Sequence, residues 1–195
     1  RSSPVEIVSS GVTAISAGDS HSLFVKDDGS LWAMGYNLYG ALGDDTTNNS
    51  STPLEIVSSG VSAVAAGGLH SLFLTTDGVL WGMGFNGYGQ LGDGTTMDSL
   101  IPIEIMSSGV VAITAGYQFS HFIMDDGSLW AMGDNSFGAL GDGTTTSSST
   151  PVQIVTDSVV AVEAGDYHTF FLTSGGALKS MGDKGHGKLG DGTDT

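Results

Sequence analysis

The chain has 195 residues, 31 of them glycine and none cysteine, with five basic residues against 21 acidic ones and a formal charge of −16. That charge repels a phosphate backbone, which excludes nucleic acid as a ready partner, and the lack of cysteine excludes a disulfide framework or a thiolate metal site. No apolar run approaches the ~20 residues of a membrane-spanning helix, and glycine interrupts every candidate amphipathic helix, so a turn-rich all-β chain without membrane insertion is expected.

The dominant signal is self-similarity at one interval. Gly18, Gly67, Gly116 and Gly165 are spaced by 49 residues, as are Met34, Met83, Met132 and Met181, and Leu42, Leu91, Leu140 and Leu189. Such a period, built from short apolar runs and glycine turns, predicts four-stranded propeller blades. The chain divides into repeats of approximately 1–49, 50–98, 99–147 and 148–195, with no second domain.

In chain order, each repeat opens on one of the four prolines, Pro4, Pro53, Pro102 and Pro151. The segments PVEIV, PLEIV, PIEIM and PVQIV alternate apolar and polar residues, as a half-exposed strand does, and proline fits best on an outer edge. Ser-Ser-Gly turns follow, then VTAISAG and its copies, whose small side chains suit the crowded strand next to the axis. The third strand (HSLFV, HSLFL, SHFIM, HTFFL) runs into Asp28-Gly29, Asp77-Gly78, Asp126-Gly127 or Gly175-Gly176, read as type I′ hairpins. The fourth, SLWAMG and its copies, is apolar on both faces, and Trp32, Trp81 and Trp130 are expected in the packing between blades. A glycine-rich loop, NxxGxLGDGTT in its common form, closes the unit.

The combination AG-x-x-HSL, DGSLW-x-MG and N-x-x-G-x-LGDGT resembles the repeat of the regulator of chromosome condensation family, over essentially the whole chain and most closely its secreted or surface bacterial subset. The resemblance implies a β-propeller with seven blades as a rule, so four repeats stand out. Departures include Asp45 where later copies carry Gly94 and Gly143, Lys179 in the tryptophan position, and Phe119 in the histidine position with His121 two places on. A four-repeat array hides its end strands by closing alone, by pairing two chains into one ring, or by adding chains head to tail, and the uninterrupted spacing favours completion by another chain. The chain starts at Arg1 rather than Met, so a leader or longer precursor is expected to have been removed or left out, and a fragment of a larger ring is the further alternative.

The chemistry-bearing residues are repeated rather than singular. His21, His70 and His168 occupy one equivalent position, which the resemblance makes structural; a shared metal is the competing reading, and Phe119 interrupts it. Asp44, Asp93, Asp142 and Asp191 are the calcium candidates, but they match no calcium-loop signature, and turn formation accounts for them. No nucleophile triad, carboxylate pair or phosphate loop stands apart from the repeat, so neither catalysis nor a cofactor is expected. The positions that vary between blades include the loop aromatics Tyr36, Tyr39, Phe85, Tyr88, Tyr117, Phe137 and Tyr167, which are the candidate partner-binding residues.

The reading that follows is a non-catalytic repeat protein that binds another protein or copies of itself as a secreted or surface module, with the cytoplasm as the alternative location. A propeller that inhibits an enzyme through the loops of one face is a variant of this reading. The resemblance also implies the family's guanine-nucleotide exchange role as an alternative, but that role would need an inserted wedge for which the fixed spacing leaves no room.

Overall fold

The computed structural model describes residues 2–193; Arg1, Asp194 and Thr195, at the ends of the first and last repeats, lie outside the described residues. Among the described residues fifteen strands run in chain order: β1 (Val12–Ala17), β2 (His21–Lys26), β3 (Leu31–Gly35), β4 (Ser50–Val57), β5 (Val61–Ala66), β6 (His70–Thr75), β7 (Leu80–Gly84), β8 (Ser99–Met106), β9 (Val110–Ala115), β10 (Phe119–Met124), β11 (Leu129–Gly133), β12 (Ser148–Val155), β13 (Val159–Ala164), β14 (His168–Thr173) and β15 (Leu178–Gly182). They form antiparallel sheets ordered β1-β2-β3-β4, β5-β6-β7-β8, β9-β10-β11-β12 and β13-β14-β15. These are four blades, and the all-β propeller architecture expected from the period is present.

The folded blade is out of phase with the covalent repeat. Each proline strand pairs with the last strand of the preceding repeat: Trp32 lies opposite Glu55, Trp81 opposite Glu104 and Trp130 opposite Gln153. A blade therefore takes its outer strand from the next repeat. Among the described residues no sheet edge precedes the first proline segment, and Pro4–Val8 forms no strand, contrary to the pattern of its sequence. Among the described residues, blade 4 correspondingly has three strands.

Between blades lies the core. Leu23, Val25, Leu31 and Leu42 of blade 1 pack on Val61, Phe73 and Met83 of blade 2. Leu72, Leu74 and Leu80 meet Val110, Phe122 and Met132 in the second joint, and Ile123 and Leu129 meet Val159, Val162 and Phe171 in the third. The inner strands β1, β5, β9 and β13 neighbour one another in that sequence, which is why their side chains are small.

Two expectations change in detail. The Asp-Gly turns are three-residue loops: Lys26 N–H donates to Ser30 O, Gly29 N–H donates back to Lys26 O, and Gly29 alone is left-handed at φ 77°, with Asp28 not so. That is a type I turn closed by a glycine bulge, not type I′. The tryptophans are half-buried; Trp81 and Trp130 pack against the first and second joints, as expected, but at their margins rather than their centres. They lie nearly parallel to the facing strand's phenylalanine, 6.0 Å between centroids for Phe24–Trp32 and Phe73–Trp81, while the leucine beside each, Leu31 or Leu80, is fully buried.

Candidate interaction face

Strand direction puts two sets of loops at the same end of every blade: the short turn before the second strand and the long loop after the third. Backbone bonds tie them together, with Tyr36, Phe85, Asp134 and Asp183 N–H donating to the carbonyls of Ser20, Leu69, Gln118 and Tyr167. All seven candidate aromatics therefore stand on one face.

The short turn is built around glycine and an imidazole. A Cβ on Gly67 would lie 2.3 Å from the His70 ring and 2.6 Å from the Gly116 carbonyl oxygen of the next blade, so the ring lies over bare backbone. From there His70 Nε2 meets Ser120 Oγ of blade 3 at 2.9 Å, and Ser120 Oγ donates to Gln90 O at 2.8 Å. His21, Ser71 and Ala41 O repeat this arrangement across the first joint at 2.8 and 2.7 Å. A hydroxyl has one proton, and the carbonyl takes it, so the serine must accept from the imidazole and the histidine is the neutral Nε2–H tautomer. Burial drives His21 down to about 4 and His70 to about 3. These are structural joints, as the sequence resemblance implied.

In blade 3 Phe119 fills the slot and cannot donate, leaving Thr169 Oγ1 bonded to Ala139 O alone at 3.2 Å. His121 takes the position that Leu23 and Leu72 hold in earlier blades, fully buried, with neither ring nitrogen hydrogen-bonded. Burial pulls it to about 4.

The long loop is organised by an asparagine that the sequence reading passed over. Buried Asn37 accepts from Leu42 N–H and donates to Asp44 Oδ1 and Thr46 O; Asn86 and Asn135 do the same in their loops. The signal was present in the fixed spacing from Asn to Leu and Asp within N-x-x-G-x-L-G-D. The calcium candidates Asp44, Asp93, Asp142 and Asp191 each accept the hydroxyl of a threonine two residues on, which is the turn role. Among the described residues no group of three or more His, Asp or Glu side chains is placed to share a cation.

The candidate aromatics gather in two clusters, each bridging a joint. Phe85 contacts Tyr39 at 5.0 Å and Tyr88 at 6.2 Å between centroids, and Tyr167 contacts Tyr117 at 5.5 Å and Phe137 at 5.2 Å. Tyr36 joins neither cluster. Tyr88 and Phe137 are exposed, at 41% and 51%. Beside the second cluster the four short turns surround a cavity of about 190 Å³ whose lining includes Asp19, Tyr117 and Asp166. The Tyr167 hydroxyl is pushed above its ordinary value by burial first, then by Tyr117 and by Asp166, Asp19 and Asp134. Three carboxylates thus act together on this cluster.

Repeated rigid blades that present their varying residues on one loop face define a β-propeller repeat domain, a class of protein-interaction module. The match is specific: the chain belongs to the RCC1-like domain family, over residues 1–195. Human WBSCR16 is 27% identical with a TM-score of 0.83, over 93% of this chain and 50% of that one. Yeast RCC1 (Prp20), solved bound to Kap60, is 22% identical with a TM-score of 0.77, over 92% and 46%. Prp20p from Saccharomyces cerevisiae, solved with a study of its binding to Gsp1p and histones, is 24% identical with a TM-score of 0.74, over 88% and 43%. The chain thus spans about half the length of the solved structures it matches. No curated protein sequence matches it.

Proposed function

We propose that this chain is a non-catalytic protein-interaction module that takes a basic protein partner on its loop face, outside the cell or at its surface. The observation that carries the reading is the Tyr117–Tyr167–Phe137 cluster among Asp19, Asp134 and Asp166. Aromatic faces flanked by carboxylates suit lysine and arginine side chains, which gain ring contact and charge pairing together. The excess of 21 acidic over five basic residues supports the same choice and suits an extracellular setting. The repeated asparagines and aspartates of the long loops form turns and His21 and His70 form joints, which supports binding rather than catalysis. The yeast structures' partners are theirs, and at 22–24% identity the likeness carries the fold to this chain.

The test is affinity capture of basic proteins from the extracellular fraction of the source cells, comparing the native chain with Tyr167→Ala and with Asp166→Asn/Asp134→Asn. Retention at low salt that weakens with added salt and drops at least tenfold in both variants is the expected result. Retention that neither variant changes would place the binding surface elsewhere.

A further inference from the structure

Blades 3 and 4 each open their long loop on an aspartate, Asp134 and Asp183, where blades 1 and 2 carry Tyr36 and Phe85. The two carboxylates begin alike. Asp134 Oδ1 accepts Ser136 N–H at 3.2 Å, and Asp183 Oδ1 accepts Gly185 N–H at 3.0 Å. Their second oxygens differ. Asp183 Oδ2 takes the ammonium of Lys188, five residues on, at 2.5 Å. Asp134 has Ala139 five residues on, and its Oδ2 accepts from no donor among the described residues.

The aspartate without a cation is the more buried one. Asp134 is 7% exposed, whereas Asp183 is half-buried. A carboxylate so far out of water gains most from a cation brought to it. Its Oδ2 is nevertheless not sealed in: the buried side-chain atoms without partners belong to His21, His70, Gln90 and His121. Gln90, whose Cβ lies against Gly133, turns its amide oxygen to Tyr88 N–H and gives no bond to Asp134.

Asp134 stands on blade 3, with blades 2 and 4 on either side, and its charge is one of those that raise the Tyr167 hydroxyl. Phe137, in the same loop, is 51% exposed; Tyr88, in that position of blade 2, is 41% exposed, so an open ring belongs to the position. The oxygen left over selects among cations. Oδ1 already carries three donors, Ser136 N–H, Ser136 Oγ at 2.6 Å and Ser147 Oγ at 3.2 Å. A guanidinium fork needs both oxygens of a carboxylate, whereas an ammonium is a point charge satisfied by one. Lysine also carries an apolar stem that suits the open Phe137 ring beside the charge.

We infer that Asp134 is the seat of a lysine ammonium supplied by the protein partner, equivalent to the lysine that blade 4 supplies to Asp183 from its own loop. That the ammonium comes from a protein rests on the loop-face reading; the seat adds which residue of the partner is read and by which carboxylate. Asp19 and Asp166, both exposed, add charge without selecting.

The probes are Nα-acetyl-lysine methylamide, its Nε-acetylated form and Nα-acetyl-arginine methylamide, titrated at neutral pH into the isotope-labelled chain. NMR follows the Asp134 carboxyl carbon and the Ser136 amide, and the initial slope of shift against probe concentration is compared. The lysine probe should move both signals, the Nε-acetylated probe neither, and the arginine probe should give a slope at least threefold smaller. Asp134→Asn should cut the lysine slope at the Ser136 amide at least fivefold, and Asp166→Asn less than twofold. Ala139→Lys should also cut it at least fivefold by supplying the cation within the chain, while Ala139→Met, of similar length, should not; Gln90 and Lys188 show that this slot takes long side chains. Equal slopes for the lysine and Nε-acetylated probes, a larger slope for arginine, or a lysine slope unchanged by Asp134→Asn overturns the inference. If basic proteins are not captured but the lysine probe still reads Asp134, the loop-face reading falls and the seat stands for free amines. If capture succeeds and acetylating the lysines of the captured proteins leaves it unchanged, the seat falls alone.

Discussion

Replacing Ser120 with alanine removes one oxygen from the centre of a joint and strands two partners at once. His70 Nε2–H loses its acceptor and Gln90 O loses its donor, and His70, Gln90 and Ser120 are all 0% exposed. Each buried polar group left without a partner costs roughly 1–3 kcal/mol, so the variant should lose about 4 kcal/mol of stability. Blade 3 supplies the means of separating the two bonds, because Phe119 occupies the imidazole slot over Gly116 with the same close approach to the missing Cβ, 2.3 Å. His70→Phe should therefore be accommodated sterically. In that background Ser120→Ala strands only the carbonyl, and the coupling between the two substitutions should be about 1–3 kcal/mol. Urea unfolding followed by tryptophan fluorescence measures all four corners of the cycle. A coupling below about 0.5 kcal/mol would refute the relay, whatever the single variants cost.

Acid should weaken the fold through the buried imidazoles. His21, His70 and His121 sit at about 4, 3 and 4, below the ordinary 6.5, so the unfolded chain takes up protons that the native chain refuses. Stability is then full above pH 6.5 and falls as pH drops toward 4, by about 1.4 kcal/mol per pH unit for each histidine. His121→Leu, which restores the residue of blades 1 and 2, should remove a third of that slope in pH-dependent urea titrations. Gly67→Ala should cost roughly 3 kcal/mol, because its Cβ meets the next blade's carbonyl, whereas Gly175→Ala, with nothing within 4 Å, should be neutral in a thermal melt. Leu80→Ala should cost about 3 kcal/mol and half-exposed Trp81→Ala less than that; the reverse order would return tryptophan to the centre of the joint.

The period, the four strands of each unit and the structural role of His21 and His70 were legible because each rests on local pattern. Alternation, small residues beside the axis and Asp-Gly turns are fixed within ten residues of chain. Phase was not legible: PLEIV reads the same whether it borders the strand before it or the one after, and only pairing decides that Leu54 faces Ala33. Tryptophan was legible in part: Trp81 and Trp130 do pack between blades, but only half-buried. Trp32 and Leu31 are neighbours on an apolar strand with side chains on opposite faces, and Leu31 is fully buried while the half-buried indole carries the Lys26 ammonium 4.4 Å above its ring. At the loop face, sequence supplied the aromatics but not their grouping, since Tyr117 and Tyr167 meet across a joint from turns 50 residues apart. Asn37 escaped notice because glycine dominated the loop around it, although its contacts five and seven residues on recur in three repeats.

The offset between covalent repeat and folded blade also bears on how such genes change length. Because the joints are made at equivalent positions, and each four-stranded sheet straddles a repeat boundary, a recombination that inserts or excises 49 residues rejoins matching half-blades. No breakpoint is privileged, and no intermediate array carries a seam. Copy number can drift by whole units while each surviving contact stays as it was, so the number of blades is free to be set by selection on the assembly rather than by the folding of any one unit.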